Sequence, residues 1–317
     1  MTVFEAFDEF QDRVDADPQH VRAARDRRAK FIEALRSDPN VVEVVQSGSL
    51  ARSTQLDPIH DVDLIAVFDP AAHLDWGDDG SSSADALGVV HDLVRRTLAD
   101  PGGSHDELVR LANPRNRAVK CFVDDPDSDH PFTVDVMPAL RNGDGTLLLP
   151  STVDKRWTDA DPEYLIREVQ GRQDTWAKFR PMVRVLKHWR RGCGTKVKSL
   201  VMETLALDYL PLQTNRPNAL RQFFVAAAYN VVSGVQDPAG YCGDIQPDLD
   251  LDALQQALAE AADEATLALA AAAEGNETAA QWHWKAVFGD DFPAPPGTTP
   301  APAVVTPPIR DAPQGAR

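Results

Sequence analysis

The sequence predicts an α+β protein in which a half that mixes strands with helices precedes an all-helical half. Three short runs rich in β-branched residues, 41–46, 62–68 and 132–137, have the composition of strands. Farther along, the apolar residues of 162–192 recur at helical spacing, which indicates amphipathic helices. The 317 residues are enough for a large core in one or two domains.

The helices of the prediction follow from periodicity and from proline and glycine signals. Segment 3–37 is periodic, and Pro18 either interrupts this helix or opens a second one. A helical pattern also covers 89–98, before the helical half. In that half, Pro181 marks a helix start and Gly192 a helix end. Two further helices are predicted for 198–210 and 249–275.

The chain divides into three predicted units. Residues 1–160 form a core of mixed strands and helices with an N-terminal helix, and residues 161–292 form a helical C-terminal lobe. Residues 293–317 hold eight prolines in 25 residues, so this tail is expected to be extended or disordered.

The charge of the chain excludes one class of partner. With a net charge of −17, the protein as a whole would repel long nucleic acid. The segment Ile166–Ser199 is the exception, since it holds ten Lys or Arg residues and two acidic ones. Such a segment suits a small anion such as a triphosphate, and the alternative is an ordinary solvated helix face.

The cysteines and the N-terminus predict a cytoplasmic protein. The three cysteines, Cys121, Cys193 and Cys242, lack metal-ligand spacing and fit buried thiols in a reducing compartment. The acidic N-terminus lacks the apolar core of a signal peptide, and no stretch approaches 18 apolar residues. No membrane partner is therefore expected.

Paired aspartates on the second strand are the first candidate for chemistry. Because side chains alternate along a strand, Asp61 and Asp63 share one face while Val62 and Leu64 point into the core. Two adjacent carboxylates repel each other unless cations neutralise them, and Mg²⁺ prefers carboxylate and phosphate oxygens. Asp135, inside the run "PFTVDVMP", is the candidate third carboxylate. The acidic loop 124–129 has a turn composition and is interpreted as solvated.

A Gly-Ser pair precedes these aspartates and follows the first strand. Gly48 allows a backbone to come close to a phosphate, and Ser49 adds a hydroxyl. Amides at a following helix start would favour an anion. The pair is informative through its position before the aspartates, since Gly-Ser alone is common.

Together these residues resemble the signature of the polymerase-β-like nucleotidyltransferase superfamily. "GSLARST" with "DVDLIAVF", "TVDVMPA", "VRVLKHWRRGCGTKVKSLVMETLA" and "WHWKAVFGDDFP" are similar to segments of its cGAS/DncV-like nucleotidyltransferases, the CD-NTases. The resemblance covers about residues 40–293. It implies a polymerase-β-like core, with a mixed sheet and flanking helices, followed by a helical lobe. The molecule would be bilobal with a central cleft.

The resemblance also implies roles for individual residues. Asp61, Asp63 and Asp135 would be catalytic and would bind two Mg²⁺ ions, with Mn²⁺ as a substitute. Gly48 and Ser49 would cradle the donor triphosphate. Further nucleotide contacts would come from the first loop and the helical lobe, through Arg52, Thr54, Lys187, Lys198 and Ser199.

The activity implied is the joining of ribonucleoside triphosphates into a cyclic di- or oligonucleotide, with release of pyrophosphate. In this family the product is a second messenger of bacterial anti-phage (CBASS) signalling and activates an effector protein. In some relatives a ubiquitin-transfer-like partner conjugates the C-terminus, and the proline-rich tail would leave the terminal Gly-Ala-Arg reachable for such a reaction; the alternative is a plain disordered end. Two alternatives stay open: a nucleotidyltransferase with another acceptor (an RNA 3′ end, a small molecule or a protein), and a catalytically silent nucleotide-binding module.

Overall fold

The computed structural model describes residues 1–295 of the 317-residue chain. The proline-rich tail predicted for 293–317 lies outside the described residues, apart from its first three. The C-terminal Gly-Ala-Arg, where conjugation is predicted, lies outside them as well.

Seven strands within residues 1–295 form one mixed sheet with the order β1-β2-β5-β4-β3, and β6 and β7 continue it from the end of β5. Strands β2 and β5 run parallel, whereas the other neighbouring strands pair antiparallel. The three strands predicted from β-branched runs are confirmed as β1, β2 and β5. The bounds are β1 (Val41–Ser47), β2 (Asp61–Phe68), β3 (Leu111–Pro114), β4 (Val119–Phe122), β5 (Thr133–Arg141), β6 (Leu147–Ser151) and β7 (Arg156–Ala160).

Two helices, α2 (Pro18–Arg36) and α4 (Ser82–Val94), pack against this sheet. Pro18 opens α2 at its first position, where a missing N–H costs no hydrogen bond, and the Asp17 side chain caps the helix. Fully buried Phe31 of α2 and Val90 of α4 share one apolar cluster with Leu64 of β2. A five-residue helix, α3 (Gly48–Arg52), connects β1 to the loop before β2.

The remaining helices form a second lobe with its own apolar core. The N-terminal helix belongs to this core, because the ring of Phe7 packs against Trp284 and Phe292 at centroid distances of 5.0 and 5.1 Å. The division predicted at residue 160 stays a prediction. The bounds are α1 (Val3–Val14), α5 (Pro162–Thr175), α6 (Phe179–Trp189), α7 (Ser199–Tyr209), α8 (Arg216–Asn230), α9 (Leu251–Ala273) and α10 (Glu277–Phe288).

The details of this lobe refine the sequence prediction. Helix α6 begins at Phe179, so Pro181 lies in its first turn, where proline is tolerated. A short 3₁₀ turn ending at Gly192 follows Trp189. Helices α8 and α10 and the strands β3, β4, β6 and β7 were not predicted. Among the described residues, no helix has both the length and the apolar composition needed to cross a membrane.

Candidate active site

Three aspartates meet where the parallel strands β2 and β5 run side by side. In the register of these strands Asp63 lies opposite Asp135, and Asp61 precedes Asp63 on the same face. Val62 and Leu64 are 1% and 0% exposed, so they point into the core as predicted. The fold therefore gathers three carboxylates that are up to 74 residues apart in sequence at one edge of the sheet.

The carboxylates perturb one another. Burial, and after it the charges of Asp61 and Asp135, raise the pKa of Asp63 to about 6 against the opposing effect of Arg52. Burial also raises the pKa of Asp135, with Asp61 adding to the shift. The charge of Lys120 on β4 lowers the pKa of Asp135 in opposition, since Lys120 Nζ lies 3.6 Å from Asp135 Oδ1. This cluster holds more negative charge than its neighbours neutralise.

A divalent cation would relieve this repulsion, and the donor set suits one. One oxygen of Asp135, Oδ1, is buried without a hydrogen-bond partner among the described residues, and Lys120 Nζ approaches this same oxygen only to 3.6 Å. Carboxylate oxygens are the ligands that Mg²⁺ and Mn²⁺ prefer. Within residues 1–295 no three acidic, histidine or cysteine side chains are already arranged to enclose a metal ion. The remaining ligands would have to come from phosphate oxygens of a substrate.

Gly48 touches this cluster directly. Its φ of +73° lies in the left-handed region, and a Cβ atom added there would sit 1.9 Å from Asp63 Oδ2. No side chain fits this position, so the backbone at the start of α3 packs against the carboxylate. Ser49, the next residue, lies in the first turn of α3.

A cavity of about 390 Å³ opens between the two lobes beside the aspartates. Its walls combine the sheet edge, α3 and helices α5, α6 and α7. Most of the predicted site residues line it, namely Gly48, Ser49, Arg52, Asp61, Asp63, Lys187 and Ser199. The lining does not include Thr54, Asp135 or Lys198.

A buried ion cluster connects the lobes behind the cavity. The Arg52 guanidinium donates two hydrogen bonds to the Glu203 carboxylate, at 3.2 and 2.8 Å. The Thr54 hydroxyl donates to the same carboxylate, and Lys187 Nζ donates to the Thr54 carbonyl at 2.7 Å. Lys187 is 2% exposed and Glu203 1% exposed. Despite its burial, Glu203 has a lowered pKa because Arg52 and Lys187 outweigh the loss of water.

The other predicted contacts of the helical lobe are also engaged within the protein. The Ser199 hydroxyl accepts a hydrogen bond from Arg190 at 2.9 Å and still lines the cavity. Lys198 Nζ instead donates to the carbonyl of Ile245 at 3.2 Å. Thr54 is fully buried, so in this conformation it supports Glu203 and faces no ligand space.

Two residues of the site were missed by sequence reasoning. Lys120 stands opposite Asp135 in the register of β4 and β5, but β4 is four residues long and gave no strand signal. Glu203 is an acidic residue within the mostly apolar stretch "SLVMETLAL". An acidic residue in a buried helix needs a partner, and this signal could have identified it.

A larger cavity, of about 810 Å³, lies between α6, α9 and α10. None of the predicted site residues lines it. Acidic side chains of α9 and of the turn after α10 are prominent in its walls, among them Glu260 and Asp291. The position of the smaller cavity, beside the carboxylates, agrees with the chemistry that the sequence predicts.

Comparisons with known proteins point to one family. The family described as "Second Messenger Oligonucleotide or Dinucleotide Synthetase domain" matches residues 1–172. A Bacillus cereus protein named a probable cyclic nucleotide synthase is 23% identical, over 92% of this chain and 98% of its own length.

Solved structures of similar proteins share the fold. CdnC of Escherichia coli MS115-1 superposes with a TM-score of 0.70 at 21% identity, covering 92% of this chain and 98% of its own. CdnG of Bradyrhizobium diazoefficiens, described as a CD-NTase, gives a TM-score of 0.64 at 12% identity over 90% and 95%. The predicted polymerase-β-like fold with a helical lobe is thereby confirmed.

Proposed function

This chain belongs to the CD-NTase nucleotidyltransferases, the family of second messenger oligonucleotide or dinucleotide synthetases, and we propose that it joins ribonucleoside triphosphates into a cyclic di- or oligonucleotide. Each joining step forms a bond between a ribose hydroxyl and an α-phosphorus and releases pyrophosphate. The proposed setting is the cytoplasm, where the product would serve as a second messenger of anti-phage signalling and activate an effector protein.

One observation carries the proposal: the close approach of Gly48 to Asp63 beside the cavity. The backbone that follows β1 and the carboxylates of β2 border the same space, so a single nucleotide can contact both. A nucleoside triphosphate needs such a pairing, because its phosphates require close backbone donors and its charge requires a cation.

We assign the site residues as follows. Asp61, Asp63 and Asp135 would hold two divalent cations, Mg²⁺ or Mn²⁺, which supply charge neutralisation at the transferring phosphoryl group when they are bound. Asp135 would hold the cation that lies beside the attacking ribose hydroxyl and lowers its pKa, and the hydroxyl proton would pass to water.

The triphosphate would lie along α3 and the helical lobe. Ser49 and Ser199 would donate hydroxyl hydrogen bonds, and Lys187 would exchange the Thr54 carbonyl for a phosphate oxygen. The contact of Lys198 needs its Nζ to leave the Ile245 carbonyl. Exchanges of this kind are favourable because a phosphate is a stronger acceptor for an ammonium than a neutral carbonyl.

The test is an incubation with all four labelled ribonucleoside triphosphates and either Mg²⁺ or Mn²⁺. Phosphatase treatment, chromatography and mass spectrometry follow. We expect a phosphatase-resistant product whose mass gives its bases and ring size. The variant Asp61→Asn/Asp63→Asn should make none, and the matched variant Asp125→Asn/Asp127→Asn, in the exposed loop after β4, should make as much as wild type.

Other outcomes would replace the proposal. Pyrophosphate release that occurs only after RNA or another acceptor is added would indicate a different nucleotidyltransferase. Nucleotide binding without pyrophosphate release under either metal would indicate a silent binding module.

A regulatory protein is a further part of the proposal. The E. coli CdnC that shares this fold has been solved in complex with a HORMA protein lacking its N-terminus. We therefore propose that a partner of this kind binds the present chain. Co-purification from cells that express the chain with its neighbouring genes tests this, and a CdnC-like pair should elute as one peak.

A further inference from the structure

Glu203 is a buried acidic residue to which the proposed mechanism gives no role. Its carboxylate lies in helix α7, it is 1% exposed, and it borders the cavity that holds the aspartates. We infer that Glu203 is a positioning residue that holds the Arg52 guanidinium away from Asp63, and thereby keeps Asp63 free to bind a divalent cation. This inference rests on the proposed function, since it assumes the metal site.

Arg52 lies between two carboxylates that attract it. Both Glu203 and Asp63 act electrostatically on its guanidinium, and Arg52 and Asp63 line the same cavity. Among residues 1–295, the side-chain hydrogen bonds of Arg52 go to Glu203 alone, through Nε and one terminal nitrogen. A two-point bond of this kind fixes the plane of a guanidinium and is stronger than a single contact.

The remaining contacts of Glu203 fix the carboxylate itself. The Thr54 hydroxyl donates to it, and Lys187 Nζ lies 4.0 Å away. These neighbours come from the loop after α3 and from α6, so Glu203 cannot follow Arg52 if the guanidinium turns toward Asp63.

Removal of the Glu203 charge should redirect Arg52. The guanidinium would be left buried with Asp63 as the other carboxylate that attracts it, and a buried cation seeks an anion. A guanidinium bound to Asp63 would occupy the oxygens that a metal ion needs. Glu203 would therefore protect the metal site without touching metal or substrate.

The experiment measures Mn²⁺ binding directly, by electron paramagnetic resonance of the full-length protein at pH 7.5 without nucleotide. The proteins are wild type, Glu203→Gln, Arg52→Gln and the double variant. The control is Glu264→Gln, which removes one charge from the helical lobe at a side chain that pairs with His283. We expect Glu203→Gln to weaken Mn²⁺ binding about tenfold, the effect of one competing ion pair of moderate strength.

The double variant separates positioning from simple charge. If Glu203 acts through Arg52, the double variant should bind Mn²⁺ as tightly as Arg52→Gln, because no guanidinium is left to compete. If Glu203 instead attracts the cation by its own charge, the double variant should bind more weakly than Arg52→Gln, and the inference is overturned.

The remaining outcomes are also decisive. Wild-type binding that Glu203→Gln leaves unchanged would overturn the inference while the metal site stands. Two results would overturn both the inference about Glu203 and the proposed metal site. One is that wild type binds no Mn²⁺, and the other is that Asp61→Asn/Asp63→Asn leaves Mn²⁺ binding unaffected. Melting curves accompany every variant; should Glu203→Gln be unfolded, Glu203→Met, which removes the charge and fills a similar volume, takes its place with the same expected loss of Mn²⁺ binding.

Discussion

Replacement of Asp63 by asparagine should stabilise the metal-free protein at neutral pH. Asparagine matches the shape of the protonated carboxyl and removes a charge that Asp61 and Asp135 repel. The pKa of Asp63 is raised in the fold, which means that the folded state favours the protonated carboxyl. The contribution of Asp63 to the free energy of unfolding is therefore present at low pH and is lost as the pH rises through about 6. The Asp63→Asn protein does not suffer this loss.

The size of the stabilisation by Asp63→Asn follows from the pKa shift of Asp63. A rise from 3.8 to about 6 corresponds to about 3 kcal/mol if the carboxyl is fully shielded from water. Asp63 keeps some contact with solvent, so we expect about 1–2 kcal/mol, or a rise in Tm of about 2–5 °C. The gain should be complete near pH 7.5 and should vanish at about pH 3, below both pKa values.

Thermal melting in EDTA at pH 5.0 and pH 7.5 measures this difference. Asp125→Asn, in the exposed loop after β4, serves as the control and should leave Tm unchanged at both values. Mn²⁺ should then raise the Tm of wild type more than that of Asp63→Asn. An Asp63→Asn protein that melts below wild type at pH 7.5 in EDTA would refute the claim that these carboxylates are mutually repulsive.

Three further predictions follow from single contacts. Gly48→Ala should lower kcat/KM for nucleotide joining by about 100-fold because its Cβ displaces Asp63 Oδ2, whereas Gly88→Ala, in open space on α4, should leave activity intact. A maleimide should label exposed Cys242 quickly in the native protein and buried Cys121 only after unfolding, because burial raises the pKa of the Cys121 thiol. Mass spectrometry measures the labelling, and a labelled Cys121 in the native protein would contradict this prediction. Phe292→Ala should lower the free energy of unfolding in urea by about 3–5 kcal/mol, because its fully buried ring packs on the N-terminal helix; a loss below 1 kcal/mol would show that this contact is dispensable.

The sequence was most informative where one local pattern suffices. Alternation on β2 determines which way Asp61 and Asp63 point, and a β-branched run identifies the strand of Asp135. Helix α8 was missed although its signals are present, since Asn215 caps it and Pro217 stands in its first turn. Strand β3 was missed for a different reason: its four residues are largely solvent-exposed and lack apolar alternation.

Glu203 shows what local pattern cannot supply. Its partner Arg52 lies 151 residues earlier in the chain, so the sequence around Glu203 does not reveal what neutralises it. An isolated acidic residue in an apolar helix indicates that a partner exists, but only the packing of α7 against the end of α3 identifies it. The roles of such residues follow from tertiary structure.

The roles of the charged residues in the basic segment 166–199 also follow from tertiary structure. Its ten Lys and Arg residues suggested an anion site, with a solvated helix face as the alternative. The structure, which describes this segment in full, places Lys187 alone of these ten on the cavity beside the aspartates. Others form ion pairs near the surface, such as Arg184 with Asp15 and Arg167 with Asp161. A solvated cation is screened within about 8–10 Å at physiological salt, whereas a buried one acts through a poorly screening interior. In the proposed function, the attraction of a triphosphate would therefore depend more on the one desolvated ammonium, that of Lys187, and its release from Thr54 than on the number of basic residues in the segment.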